Sequence, residues 1–187
     1  ENLFLGSAQG EFVLSTPADA PLTPISMAFS KISSAGSAAV VPVQSEATVY
    51  FVTSTRKQVV GSVFDDSVRG YRTADVTVLA PHLMEPAVRQ LALRPATSDD
   101  RTQRLFALTS DGNLRACALQ ESENVAAWSR VTAPGPSRIL AVAATATELY
   151  AAIEGGSGGV YLSALTGDGT DRLDYAWQAT DDFGTAP

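Results

Sequence analysis

The residues that could do chemistry in this chain are few. One histidine, His82 in APHLMEP, and one cysteine, Cys117 in LRACALQ, each stand alone. A Ser-His-Asp triad would have to be built on His82 with a serine such as Ser98 or Ser110, and no G-x-S-x-G elbow marks either one. A lone histidine in a link between elements more often caps backbone or meets solvent than catalyses. Cys117 lies between Ala116 and Ala118 and has the neighbours of a small buried hydrophobe, not of a nucleophile. Being single, it also excludes an internal disulfide and a cysteine metal cluster.

Carboxylates are more plentiful. Asp65-Asp66, Asp99-Asp100 and Asp181-Asp182 are adjacent pairs that acid/base chemistry could use. Glycosidases hold their two carboxyls about 5–10 Å apart, but adjacent strand residues point to opposite faces. All three pairs fall in polar stretches that read as solvated turns. In TGDGTDRLD, Asp168, Asp171 and Asp174 offer oxygen ligands in a glycine-rich loop, a setting calcium accepts. The EF-hand order and its closing glutamate are missing, so the simpler expectation is a turn, with these three as calcium candidates. EGGSGG (154–159) leads into a strand and lacks the helix and Gly-Lys-Ser/Thr of a phosphate loop, so it reads as a hairpin loop. The tight basic clusters, Arg56-Lys57 and Arg69/Arg72, are short and expected in solvated turns, with a partner subunit or DNA as alternative contacts. No catalytic, cofactor-binding or metal residue is therefore expected beyond the calcium candidates, and the chain is not expected to be an enzyme.

The elements that position these residues are strands. The chain has 187 residues, 45% hydrophobic and 18% charged, enough apolar material for a packed domain. Thirteen basic residues against 20 acidic ones leave a net charge of −7, which excludes a broad basic footprint for gripping nucleic acid. No apolar run is long enough for a membrane span, and no signal peptide is visible. The chain opens on Glu1, so a processed chain or a fragment is expected. Four hairpin-like stretches recur: NLFLGSAQGEFVL, TVYFVTSTRKQVVGSVF, RLFALTSDGNLRACAL and ELYAAIEGGSGGVYLSAL. The steps from Leu3 to Val49, Leu105 and Leu149 are 46, 56 and 44 residues, a period suited to four-stranded propeller blades. In the third unit, AVRQLALRP, RLFALTS, NLRACALQ and VAAWSRVT alternate around an Asp111-Gly112 turn, a strong hairpin signal. The second unit reads as SAAVVPVQ, TVYFVTS, KQVVGSVF and ADVTVLA, and the fourth as RILAVAAT, ELYAAIE, GVYLSAL and DYAWQAT. Trp128 and Trp177, in the last strands of units three and four, are expected to be core residues that cover their blades.

The expected fold is all-β: a β-propeller fragment of about three and a half four-stranded blades, with a β-sandwich as the alternative. The whole chain, 1–187, forms one propeller region with blades near 1–35 (partial), 36–80, 87–133 and 137–180. Since propellers close with about 4–8 blades, it is expected to belong to a longer polypeptide or a larger ring.

Several stretches carry a resemblance. These are the hairpin Leu3-Phe4, Gly6, Gly10-Glu11 and Val13-Leu14; then PLTP, GSAAVVPV and VYFV; then RGYRTADVTVLAPHL; and RLFALTSDGNLRACALQESENVAAWSRV. Together they resemble the propeller part of phage tail nozzle proteins, also called tail tubular protein B, over roughly residues 1–135. The chain departs from that pattern where a glycine would precede Arg56-Lys57 and where Cys117 replaces an aromatic or Thr-like residue. The helical platform with which nozzle proteins build their ring is also missing. The resemblance implies a structural virion protein of the phage tail, a six-fold homo-oligomeric ring beside other tail proteins such as the portal-adaptor. DNA would pass through it transiently and non-specifically, or be retained until ejection. An acidic chain suits a conduit that must not hold phosphate. Other readings of the residues are a propeller that binds a ligand or partner protein on one face, and a propeller hydrolase or lyase.

Overall fold

The computed structural model describes residues 2–17, 20–21, 23–45, 48–67, 70–98, 101–120, 123, 125–133, 135–166 and 177–182. Their regular structure is strand, apart from short 3-10 turns. Each sheet is an antiparallel meander whose strands pair in chain order. Sheet 1 holds β1 (Asn2–Ser7), β2 (Gly10–Ser15) and β3 (Ala28–Ser33). Sheet 2 holds β4 (Val43–Ser45), β5 (Thr48–Val52), β6 (Val59–Asp65) and β7 (Gly70–Asp75). Sheet 3 holds β8 (Val88–Arg94), β9 (Gln103–Thr109), β10 (Leu114–Gln120) and β11 (Val125–Val131). Sheet 4 holds β12 (Arg138–Ala144), β13 (Glu148–Glu154), β14 (Val160–Thr166) and β15 (Trp177–Asp182).

The chain divides into two compact units, Glu1–Val78 with sheets 1 and 2 and Leu79–Pro187 with sheets 3 and 4. In the first unit Phe4 of β1 meets Phe51 of β5, with ring centroids 5.5 Å apart. In the second, sheets 3 and 4 share a core of Phe106, Leu108, Leu114, Ile139, Leu149 and Ile153, among others. The turn between β9 and β10 closes with Gly112 N–H donating to the Thr109 carbonyl at 3.0 Å. Gly112 has φ +77°, and a Cβ there would lie 2.6 Å from Cβ of Arg138, so glycine is required twice over. Its carbonyl accepts from Ile139 N–H at 2.8 Å, fixing the start of β12 against the turn.

Two expectations change. The last strand of sheet 2 is not ADVTVLA but β7, which ends at Asp75. There the Asp75 carboxylate accepts from Thr77 N–H at 2.7 Å and from its hydroxyl at 2.5 Å. That side-chain turn takes the chain out of the sheet, and residues 81–84 form a short 3-10 turn. Trp128 is half-buried on the outer strand β11, opposite Cys117, and is not a core residue. Burial is supplied by β9 and β10, whose Leu105, Phe106 and Cys117 are at most 1% exposed. The Trp177 side chain lies outside the described residues.

Candidate functional site

The residues singled out for chemistry are dispersed. His82 is exposed in the 3-10 turn. Cys117 is fully buried in β10, and burial alone pushes its thiol up to about 12, so it stays protonated and unreactive at neutral pH. Asp65 ends β6, where it accepts from Ser67 N–H at 2.8 Å and pairs with Arg72 at 2.6 Å, while Asp66 lies exposed in the turn. Asp181 and Asp182 fall at the end of β15, in a strand rather than a turn. Asp99, Asp100, Arg69 and the calcium candidates Asp168, Asp171 and Asp174 lie outside the described residues. The loop 155–159 is tied by its own backbone, Gly155 N–H to the Gly159 carbonyl at 2.8 Å and Gly158 N–H to the Gly155 carbonyl at 2.9 Å. Arg56 and Lys57 are exposed, and Arg56 takes φ +60°, a conformation that favours glycine.

Among the described residues no group of three or more His, Cys, Asp or Glu side chains is placed to hold a metal ion. No helix of the described residues is long and apolar enough to cross a membrane.

Three polar constellations do converge. The first joins sheets 1 and 2. Ser37 donates its hydroxyl to Oε1 of Glu11 at 2.8 Å, and Ser37 N–H donates to the Ser7 carbonyl at 2.7 Å. Glu11 is 0% exposed, and its Oε2 is buried without a hydrogen-bond partner. Ser37 comes so near because Gly6 and Gly36 leave room. A Cβ at Gly6 would lie 2.7 Å from the Ser37 hydroxyl, and one at Gly36 (φ +73°) 2.4 Å from the Ala8 carbonyl.

The second is a buried arginine. Arg115 of β10 is 2% exposed and reaches the Leu83 carbonyl from Nε at 2.9 Å and the Asp111 carboxylate at 3.0 Å. It thereby ties the 3-10 turn to the β9–β10 hairpin. Burial alone would raise the Asp111 pKa. Donors on the Asn113 side chain, Thr109, the Asn113 backbone and Arg115 outweigh it and hold the carboxyl well below the usual range.

The third links β8 to β12. Gln90 donates to the Val142 carbonyl at 2.7 Å and accepts from Val142 N–H at 3.1 Å. Arg89 reaches the Ile139 and Leu140 carbonyls, and Arg94 the Thr147 carbonyl at 3.3 Å. These constellations hold elements together. None places a nucleophile beside a base.

Sequence reasoning missed Glu11, Arg115 and Gln90 as junction residues. The signal available was a polar residue inside an otherwise apolar alternation. No protein-family model matches the chain, and no curated protein matches it either.

Proposed function

We propose that this chain is the β-propeller region of a phage tail nozzle protein, a structural part of the virion that forms a ring and conducts or retains DNA without catalysing a reaction. In this reading each sheet is one blade, and sheet 1 is an incomplete one.

The observation that carries the reading is the junction of Gly6, Glu11, Gly36 and Ser37. These residues belong to two separate stretches of the pattern on which the resemblance rests, the first hairpin and GSAAV. They meet around the buried Glu11 carboxylate, where each residue type has a physical task. Sequential four-stranded meanders also favour the propeller over the sandwich, whose Greek-key connections cross between sheets.

The fate of the basic side chains fits a conduit. Arg115 is buried, Arg72 and Arg138 are paired with acids, and Arg89 and Arg94 donate to backbone carbonyls. The net charge of −7 also disfavours a tight grip on a passing polyanion.

The deciding experiment is quantitative mass spectrometry of purified particles that carry this chain. Peptides at a fixed copy number, half that of the portal protein, are expected. Absence from particles would discard the nozzle reading.

A further inference from the structure

An Asp-Gly pair is prone to spontaneous isomerisation. The glycine amide nitrogen attacks the aspartate side-chain carbon, and the imide ring that forms can reopen with the main chain running through the side chain, as isoaspartate. Glycine allows the attack because no side chain hinders its nitrogen or restricts its backbone. The chain has two such pairs, Asp111-Gly112 and Asp168-Gly169. The first closes the turn between β9 and β10.

The atoms that would react there are already engaged. Oδ1 of Asp111 accepts from the Thr109 hydroxyl at 2.5 Å and from Asn113 N–H at 3.1 Å. Oδ2 accepts from the Asn113 side-chain amide and from Nη2 of Arg115, each at 3.0 Å. The nucleophile, Gly112 N–H, is donated to the Thr109 carbonyl at 3.0 Å. Ring closure would join Gly112 N to Cγ of Asp111 and break one Cγ–O bond. That oxygen leaves as water, taking the amide proton and one proton from solvent. Water then opens the imide at either carbonyl, giving aspartate or isoaspartate with no oxidant or reductant. The oxygen can leave only once protonated, whereas all four donors favour the anion. Burial alone would raise the Asp111 pKa, yet the donors outweigh it and keep the carboxyl ionised.

Isomerisation at this turn would reach beyond it, because isoaspartate adds a carbon to the main chain. The Gly112 carbonyl accepts from Ile139 N–H at 2.8 Å, and Arg115 holds the Leu83 carbonyl at 2.9 Å as well as Asp111. A lengthened turn would displace both ties, loosening the hairpin, the 3-10 turn and the start of β12 together. We propose that Asp111-Gly112 is a latent isomerisation site which Thr109, Asn113 and Arg115 keep shut in the folded protein. Asn113 and Arg115 are positioning residues in this role, acting through the Asp111 carboxylate. The protection is independent of the tail assignment.

The test is prolonged incubation of the full chain near neutral pH, well below its unfolding temperature. Peptide mapping that separates aspartyl from isoaspartyl forms then gives the rate at residue 111. Isomerisation in the protein is expected to be about tenfold or more slower than in the free peptide TSDGNLR (109–115). Asn113→Ala and Arg115→Met, checked for folding by circular dichroism, should each raise the rate about tenfold. Leu149→Ala hollows the core shared by sheets 3 and 4 but removes no donor, so it should leave the rate at the wild-type level while the chain stays folded. If Arg115→Met does not fold, Asn113→Ala decides alone. A wild type that isomerises as fast as the peptide would overturn the proposal, as would a rate that the loss of these donors leaves unchanged. Equal acceleration by Leu149→Ala and Asn113→Ala would overturn it too, since packing alone would then be the guard.

Discussion

Replacing Arg115 should separate its roles as a cation, as a hydrogen-bond donor and as packing. Arg115→Met keeps most of the aliphatic stem but removes the donors to Leu83 and Asp111, at 2.9 and 3.0 Å. Hydrogen bonds to a charged group contribute about 1.5–3 kcal/mol each. Against this, the guanidinium no longer has to be desolvated, which returns several kcal/mol. Asp111 is not stranded by the change, because its side chain is 33% exposed and keeps its bonds to Thr109 and Asn113. The buried Leu83 carbonyl loses its side-chain donor. The net cost expected for Arg115→Met is about 1–3 kcal/mol. Arg115→Ala adds a cavity and should reach about 3–5 kcal/mol. Asp111→Asn keeps the turn acceptor and should cost about 1 kcal/mol. Urea unfolding of the three variants measures the differences, and hydrogen exchange at residues 81–84 reports whether the 3-10 turn loosens first. Variants Arg115→Met and Arg115→Ala both within about 0.5 kcal/mol of wild type, the range of ordinary surface changes, would refute the reading of Arg115 as a buried tie.

Other consequences are open to the same assays. Glu11→Ala should destabilise by about 1–3 kcal/mol, since the Ser37 hydroxyl loses its acceptor; Glu11→Gln, which retains one, should cost less. A larger loss with Gln than with Ala in the unfolding curves would contradict this. Arg56→Gly should stabilise by about 1 kcal/mol, because φ +60° strains a residue with a Cβ; an unchanged or lower midpoint would mean the turn relaxes otherwise. Cys117 has a folded pKa raised from 9.0 to about 12. Its contribution is therefore fully present below pH 9 and lost as pH climbs toward 12, where the unfolded chain releases the proton first. Stability measured over that window should fall less steeply in Cys117→Ala than in wild type, and equal slopes would count against a buried thiol.

Alternation made most of the strands legible. Leu105 to Thr109 and Leu114 to Gln120, joined across Asp111-Gly112, form the expected hairpin because turn chemistry and apolar pattern agree. The end of sheet 2 was misread for a local reason: the apolar alternation continues through Val76 and Val78, but the Asp75 side chain captures Thr77 and ends the strand. Trp128 misled because size suggests a core position, whereas an outermost strand has a neighbour on one side only. The junction residues were hidden for another reason. Arg115 finds one of its two partners 32 residues away and Gln90 finds its own 52 away, and both of these are backbone groups. A carbonyl carries no sequence signature. Only the polar end of each such pair is written in the chain, and it looks like any other polar residue in a strand.

The Gln90 clamp shows how separate meanders are held to one another. β8 and β12 belong to different sheets, so no ladder joins them. Both are irregular where they meet, with register shifts between Val88 and Gln90 and between Ile139 and Ala141. A bulge interrupts the regular pairing and turns backbone groups outward, and the Gln90 amide satisfies both the N–H and the C=O of Val142. Gln90→Ala should therefore loosen the seam without unravelling either sheet. The Val142 amide should exchange faster, while amides in the β13–β14 ladder keep their protection until global unfolding. If all of sheet 4 loses protection together, the two sheets form a single cooperative unit and the amide clamp is not the separable link between them.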